Sequence, residues 1–231
     1  MEQFRDMAEN SYGYGCWDGP YWFLGPEQGM SKSGSDTLEV RNAAWHKSDR
    51  LQLDDCKKFH EDIGESRWHG EAKKPSGRPY LQSTWRRLIA ASLGYEGKDA
   101  GELDQWAYQR NELGRHNGKT CIIELSGLAA TSLADERDRK KFLGTRLDNV
   151  NKKIDAHGPA FLILYGKTPG CAKAWAELSA NSDELLSQSS IAQIRKRGDS
   201  LIAWTGHPTM QKVKDWYKLG HELKSLKQMS A

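Results

Sequence analysis

Four short apolar segments constrain the fold of this chain more than any other feature of its sequence. They cover residues 21–24, 121–125, 160–165 and 200–205. Each segment is bounded by polar, glycine or proline residues and is too short for a typical helix, so each is predicted to be a strand. Apolar and polar residues do not alternate within them, which indicates strands covered on both faces, as in a parallel sheet.

Helical spacing of apolar residues occupies most of the intervals between these strands. This spacing covers residues 81–93, 135–156, 167–186 and 210–226. Strands that alternate with helices predict an α/β fold, here three layers (α/β/α) around a central, mostly parallel sheet of four strands. Residues 26–80 contain few apolar side chains, and we expect loops, insertions and a short helix near residues 51–63.

Length and composition limit the classes of protein that this chain can represent. Its 231 residues suit one domain over residues 1–231. No segment approaches the roughly 20 apolar residues that cross a bilayer, and the amino terminus lacks the pattern of a secretory signal. We therefore expect a cytoplasmic protein with no membrane partner. The four cysteines are far apart and include no Cys-x-x-Cys pair, so we expect free thiols, no metal and no cofactor.

The segments that follow the four predicted strands are where a ligand should bind. In open parallel sheets, ligands bind beyond the carboxyl ends of the strands. The segments are residues 25–29, 126–128, 166–170 and 206–209, and each contains a glycine. Glycine allows the backbone to come close to a ligand, although tight turns also use it for structural reasons.

Motifs in these segments resemble those of the uracil-DNA glycosylase superfamily, and the resemblance extends over about residues 21–217. Residues 23–29 (FLGPEQG) are similar to the first motif of the family. Residues 203–209 (AWTGHPT) resemble the last motif, with Thr209 in place of the usual serine. Residues 164–167 resemble the third strand and a loop that contacts the DNA backbone. The resemblance places residues 121–124 at the strand that ends in a uracil-reading asparagine.

The chain also departs from the family pattern. Glu27 and Gln28 replace a pair that usually contains proline, and the second strand does not end in asparagine. Either Glu124 or Ser126 stands in the place of that asparagine. The cysteine spacing differs from that of the iron–sulfur members, so the resemblance implies an atypical branch without a cluster.

The resemblance implies a monomeric DNA-repair glycosylase that acts on single- or double-stranded DNA. Such an enzyme flips uracil or a related deaminated base out of DNA and hydrolyses its N-glycosidic bond, leaving an abasic site. The implied catalytic residues are Glu27 and His207. His207 would donate a hydrogen bond to the departing base oxygen, and Glu27 would orient or deprotonate water, or stabilise the cationic sugar.

Further residues are implied to bind the base or the DNA backbone. The predicted base-binding residues are Gly25, Pro26, Gln28, Glu124, Ser126 and Trp45, and one of the aromatic residues before the first motif (Tyr14, Trp17, Tyr21, Trp22 and Phe23) should face the pocket. The predicted DNA-binding residues are Gly166, Lys167, Thr168, Thr209, Met210, Gln211 and Lys212, with Lys214 as a further phosphate contact. Met210 or Gln211 would enter the space that the flipped base leaves.

Three other functions stay open at this point. The first is a catalytically silent DNA-binding or damage-sensing protein that keeps the fold and its basic loops. The second is an enzyme that acts on another modified base or on a free nucleoside. The third, a Rossmann-type nucleotide-binding protein, ranks last because Gly25 and Gly29 do not have the spacing of Gly-x-Gly-x-x-Gly. The net charge of +3 permits contact with nucleic acid but does not indicate it.

Overall fold

The chain forms an α/β fold built on one mixed sheet. The computed structural model describes residues 2–30, 36–71, 73–99, 101–130, 139–166, 169–180, 182 and 184–229. The strands are β1 Gly13–Gly15, β2 Tyr21–Gly25, β3 Leu53–Asp54, β4 Thr120–Glu124, β5 Phe161–Tyr165, β6 Glu184–Gln188, β7 Ala192–Arg197 and β8 Ser200–Thr205. The α-helices are α1 Arg5–Asn10, α2 Leu38–Lys47, α3 Cys56–Asp62, α4 Ser83–Tyr95, α5 Glu102–Asn111, α6 Arg139–His157, α7 Pro169–Ala180 and α8 Val213–Met229. Short 3₁₀ helices lie at Glu2–Phe4, Ser66–Trp68 and Pro208–Met210.

The four predicted strands lie next to one another at the centre of the sheet. The strand order is β3-β1-β4-β2-β5-β8-β7-β6, and β4, β2, β5 and β8 pair in parallel. The prediction of a four-stranded sheet was wrong, because four further strands extend it to eight. β1 is antiparallel to β4 and parallel to β3, while β7 is antiparallel to both β8 and β6. The sheet is therefore mixed, with a parallel centre.

Helices cover both faces of the parallel centre. On one face, Phe23, Ile163 and Ala203 of the sheet belong to a buried cluster that includes residues of α4 and α8. On the other face, Leu24 and Leu164 belong to a second cluster that includes residues of α6 and α7. Coverage on both faces explains why the central strands are continuously apolar.

The sheet edges and one helix boundary differ from the sequence prediction. The helix predicted for residues 167–186 is α7, which ends at Ala180, and residues 184–188 form edge strand β6 instead. The side chains of β6 are exposed or half-buried, so its sequence carries no strong apolar signal. Helix α2 was not predicted within residues 26–80. It begins after Thr37, whose side chain accepts a hydrogen bond from the backbone N–H of Val40 at 3.3 Å. Among the described helices, none is both long and apolar enough to cross a membrane.

Candidate functional site

A cavity of about 410 Å³ opens at the carboxyl ends of the central parallel strands. Glu27 lies in the loop after β2, Glu124 ends β4, Tyr165 ends β5 and His207 follows β8, and all four side chains line this cavity. Glu27 and His207, which are far apart in sequence, are thus brought to one cavity. Its volume falls within the range of about 300–1,000 Å³ that is typical of small-molecule sites.

The loop that carries Glu27 is fixed by a buried hydrogen-bond network. The Oε1 atom of Gln28 accepts hydrogen bonds from the Tyr14 hydroxyl at 2.8 Å and from Nη1 of Arg41 at 2.6 Å. Arg41 forms a buried ion pair with Asp36 at 2.6 Å and donates to the carbonyl of Gly29 at 3.1 Å. Because its side-chain oxygen accepts both of these hydrogen bonds, Gln28 positions the loop.

Glu124 is a buried carboxyl group beside a second one. Its side chain is 6% exposed, and its Oε2 atom has no hydrogen-bond partner among the described residues. Burial, and then the negative charge of Glu27, raises the pKa of Glu124 to about 8. At neutral pH Glu124 is therefore mainly protonated, and its carboxyl group can both donate and accept a hydrogen bond. The buried Arg146 fixes the end of β4 by donating to the Glu124 backbone carbonyl at 2.7 Å.

His207 is a half-buried imidazole with a defined tautomer. Its Nδ1 accepts a hydrogen bond from the backbone N–H of Thr209 at 3.3 Å and lies 2.8 Å from the Thr209 hydroxyl. Burial, and then the positive charge of Arg87, lowers the pKa of His207. A neutral ring whose Nδ1 accepts must carry its proton on Nε2, so Nε2–H is available as a donor. The ring lies edge-on to Tyr165, at 6.3 Å between centroids.

The remaining cavity wall comes mainly from segments that the sequence did not predict to belong to the site. The side chains of Trp68 and Trp85 line it, and their rings meet edge-on at 6.4 Å. The other lining residues outside the predicted set are Met30, Asp36, Arg41, His60, Glu65, Arg67, Gln82, Thr84, Ala130 and Tyr165. Tyr165 had a usable signal, because it is the last residue of a predicted strand. The others lie in helices and loops whose approach to the sheet depends on tertiary packing.

Three predicted base-binding residues do not line the cavity. Trp45 is fully buried on α2, where its ring N–H donates to the carbonyl of Leu51 at 2.8 Å. The hydroxyl of Ser126 exchanges hydrogen bonds with the backbone of Leu128. Gly25 packs against the Tyr165 ring so closely that a Cβ atom would lie 2.3 Å from its hydroxyl oxygen. Pro26, Glu27, Gln28 and Glu124 do line the cavity. Of the five aromatic candidates before the first motif, only Tyr14 lines it.

The predicted DNA-binding residues fall into two groups. Lys167 and Thr168 lie outside the described residues, and Gly166 before them has a positive φ of 107°. The second group follows His207 directly: Thr209, Met210, Gln211 and Lys212. The Met210 side chain is 83% exposed, whereas Gln211 is half-buried and its backbone carbonyl accepts a hydrogen bond from Arg87 at 3.1 Å.

One group of side chains next to the cavity has the donor atoms of a metal site. Cys56, His60 and His69 are all buried, and one ligand atom from each lies within 4.8 Å of the others. The expectation of no metal was based on the spacing between cysteines. That spacing cannot reveal a site that combines one cysteine with two histidines. The Cys56-x₃-His60 spacing on a helix was the signal that could have found it.

Neither the models of known protein families nor the curated proteins contain a match to this sequence. Any assignment of function therefore depends on the geometry and chemistry of the cavity.

Proposed function

We propose that this chain is a DNA N-glycosylase that removes uracil, or a related deaminated base, by hydrolysing the bond between the base and the deoxyribose. The observation that carries the proposal is the convergence of Glu27, Glu124 and His207 on one cavity at the carboxyl ends of the parallel strands. These three side chains supply a carboxylate, a protonated acid and a neutral N–H donor, and each suits a separate requirement of this reaction.

The departing base requires a hydrogen-bond donor. As the N-glycosidic bond lengthens, negative charge develops on the O2 atom of the pyrimidine, and a fixed donor in a dry pocket stabilises that charge. His207 meets this requirement because Thr209 holds its Nδ1 as an acceptor, which leaves the proton on Nε2. A neutral imidazole stabilises the charge by hydrogen bonding and does not have to lose a proton itself.

The sugar requires negative charge and a correctly placed water. Bond cleavage leaves cationic character on the deoxyribose, which a nearby carboxylate stabilises, and a carboxylate can also accept a proton from the attacking water. Glu27 is suited to both tasks, because its loop is held by Gln28, Arg41 and Asp36. A negative charge on Glu27 is, after burial, a cause of the raised pKa of Glu124, as expected for two neighbouring carboxyl groups.

The base edge requires a partner with one donor and one acceptor. A protonated carboxyl group offers an O–H donor and a C=O acceptor, the same pair that an asparagine side chain offers. Uracil presents N3–H and O4 on that edge, and hypoxanthine presents N1–H and O6. Glu124 in its neutral form matches the edges of both bases.

The experiment is a single-turnover assay on an oligonucleotide with one uracil, in single- and double-stranded form, followed by alkaline cleavage at abasic sites. We expect cleavage at the uracil without added metal, and no cleavage of a control oligonucleotide with cytosine at that position. His207→Ala should lower the rate of the chemical step by about 10²–10³. Glu27→Gln should lower it by about 10²–10⁴. Both variants should keep most of their affinity for DNA.

Matched controls lie on helices outside the cavity lining. His221→Ala on α8, where the side chain is 41% exposed, and Glu177→Gln on the exposed surface of α7 replace the same residue types and should leave the rate unchanged. A complete absence of abasic product across salt and pH would refute the proposal for uracil. Equal losses of DNA affinity and rate in His207→Ala would refute a role for His207 in the transition state.

Hypoxanthine is a second candidate substrate, because it presents the same hydrogen-bonding edge to Glu124 as uracil does. Because hypoxanthine matches neutral Glu124 as well as uracil does, the oligonucleotide panel should also contain hypoxanthine, xanthine and mispaired thymine. Excision of hypoxanthine alone would assign the enzyme to that base. DNA affinity without excision of any base would favour the catalytically silent, damage-sensing protein.

A further inference from the structure

Three side chains that carry potential metal-ligating atoms meet next to the cavity, which only His60 of the three lines, and none of them lies on the central sheet. Cys56 and His60 lie four residues apart on α3 and therefore share one face of that helix. His69 follows the 3₁₀ helix at Ser66–Trp68. The Cys56 Sγ atom lies 3.7 Å from Nδ1 of His60 and 3.7 Å from Nε2 of His69. Two ligands of a tetrahedral zinc ion, one sulfur and one nitrogen, are about 3.5 Å apart.

The surroundings of this group exclude water and leave one of its nitrogen atoms, Nδ1 of His69, without a hydrogen bond of normal geometry among the described residues. Cys56 is fully buried, and His60 and His69 are 7% and 1% exposed. The ring of Trp85 packs edge-on against His60 at 5.1 Å and lies 5.6 Å from the ring of His69. No described residue forms a hydrogen bond of normal geometry with Nδ1 of His69, although the backbone of Gln109 lies close to the ring. Burying unsatisfied polar groups costs free energy, so a group of this kind calls for an explanation.

Hydrogen bonds within the group do not provide that explanation. The thiol of Cys56 is a weak donor and a weak acceptor, and among the described side chains it alone lies within hydrogen-bond range of the two histidines. Nδ1 of His60 lies 2.7 Å from the backbone carbonyl of Cys56. Metal binding through Nδ1, the atom that lies 3.7 Å from the Cys56 sulfur, would replace this contact.

We propose that Cys56, His60 and His69 bind a Zn²⁺ ion through one thiolate sulfur and two imidazole nitrogens. Thiolate and imidazole are ligands that zinc prefers over carbonyl or carboxylate oxygen, and Mg²⁺ and Ca²⁺ do not favour this donor set. The group has three members among the described residues. Since no fourth ligand joins them among the residues that the structure describes, water or another small ligand would fill the fourth position there. On binding, the Cys56 thiol releases its proton to solvent, and the zinc ion replaces that proton.

The ion would add a connection between two segments that already share a backbone hydrogen bond, from Glu65 to His60 at 2.7 Å. α3 and the segment around the 3₁₀ helix at Ser66–Trp68 supply His60, Glu65, Arg67 and Trp68 to the cavity lining. Metal ligation gives such a segment stability that its few apolar residues do not supply. The zinc site does not depend on the proposed glycosylase activity, because its ligands are judged by their donor atoms and spacing alone.

The experiment uses the full chain, treated with a phosphine reductant, loaded with ZnCl₂ and desalted. We expect a single tightly bound zinc ion per chain by elemental analysis. Replacement of zinc by Co²⁺ should give the visible absorption of tetrahedral cobalt and a near-ultraviolet band from the bond between thiolate sulfur and cobalt. A chelator should lower the melting temperature of the wild-type protein.

Variants locate the metal. Cys56→Ala and His69→Gln should each lose the bound zinc and the effect of the chelator on melting. Cys121→Ala replaces another fully buried cysteine, on strand β4, and should keep both. If the Cys56 and His69 variants fail to fold, the Co²⁺ titration of the wild-type protein decides. The absence of a sulfur-to-cobalt band, or zinc binding that Cys56→Ala leaves intact, would overturn the proposal.

Discussion

At the scale of single residues, the chemistry of Glu124 is set by where the fold places it. The sequence identified Glu124 and Ser126 as alternatives at the end of one strand, and the structure places only Glu124 in the cavity lining. Its protonation could not be predicted from the sequence, because it results from burial and from Glu27, which lies on another strand-end loop. Trp45, by contrast, was predicted to bind the base but does not line the cavity. An aromatic ring is suited to a pocket wall. The Trp45 ring is instead buried in the protein, where its N–H donates a hydrogen bond to the carbonyl of Leu51.

The raised pKa of Glu124 predicts a pH-dependent effect of Glu124→Gln on stability. In the unfolded chain this carboxyl group ionises near its ordinary pKa of 4.5, whereas in the folded protein it keeps its proton up to about pH 8. The contribution of Glu124 to stability is therefore complete below pH 4.5 and is lost as the pH rises to 8. Glutamine does not titrate. The stability of Glu124→Gln relative to wild type should increase over this range, by an amount on the order of a few kcal/mol.

Urea unfolding at pH 5, 6.5 and 8 measures this difference in the free energy of unfolding. Glu177→Gln, which replaces an exposed glutamate on α7, is the control and should give a difference that does not change with pH. A pH-independent difference for Glu124→Gln would mean that Glu124 is ionised in the folded protein at neutral pH. The neutral base-reading group proposed above would then be excluded.

At the scale of elements, the close approach of α4 and α8 depends on glycine. A Cβ atom on Gly220 would lie 2.2 Å from the carbonyl oxygen of Ala91, and one on Gly94 would lie 2.3 Å from that of Tyr217. Both helices were predicted from their apolar spacing. Their contact was not, because helical periodicity indicates which face is buried but does not identify the element that covers it.

Gly220→Ala should therefore destabilise the protein although alanine favours helices. The added methyl group would meet backbone atoms, which cannot move aside as a flexible side chain can, so we expect a loss of about 1–3 kcal/mol. Gly144→Ala is the matched control, since Gly144 lies exposed on α6 and a Cβ atom there would meet no other atom within 4 Å. That control should increase stability by up to about 1 kcal/mol. Thermal and urea unfolding of both variants measure these changes, and equal stabilisation by both would contradict the close packing.

The elements that the sequence failed to predict share a physical cause. The central strands are apolar on both faces, which is a local property that can be read from the sequence. Strand β3 has two residues and β6 is partly exposed, so both are strands because of the neighbours they pair with. A charged residue such as Arg41 is expected from the sequence to lie on the protein surface. Arg41 is buried in the cavity wall because it forms an ion pair with Asp36. Tertiary pairing of this kind has no periodic signal.

At the scale of the whole molecule, charge must act locally if this protein binds DNA. The net charge is only +3, so attraction to a polyanion cannot come from an overall excess of basic residues. Lys212 and Lys214 are exposed and lie in the segment that follows His207, which lines the cavity after the end of β8. Lys153 lies near the opposite edge of the sheet, with its ammonium group 5.2 Å from the centre of the Trp17 ring, before the start of β2.

The salt dependence of DNA binding should therefore identify the edge that contacts phosphates. Each phosphate contact contributes about −0.9 to the slope of log K against log salt concentration for duplex DNA and about −0.7 for single strands. Lys212→Gln and Lys214→Gln should each reduce the slope by about one such unit, as measured by fluorescence anisotropy between low and moderate salt. Lys153→Gln should leave the slope unchanged. If the Lys212 and Lys214 variants keep the wild-type slope, phosphates do not contact these two lysines. If the wild-type protein shows no salt-dependent affinity for DNA, a free nucleoside would replace DNA as the expected substrate.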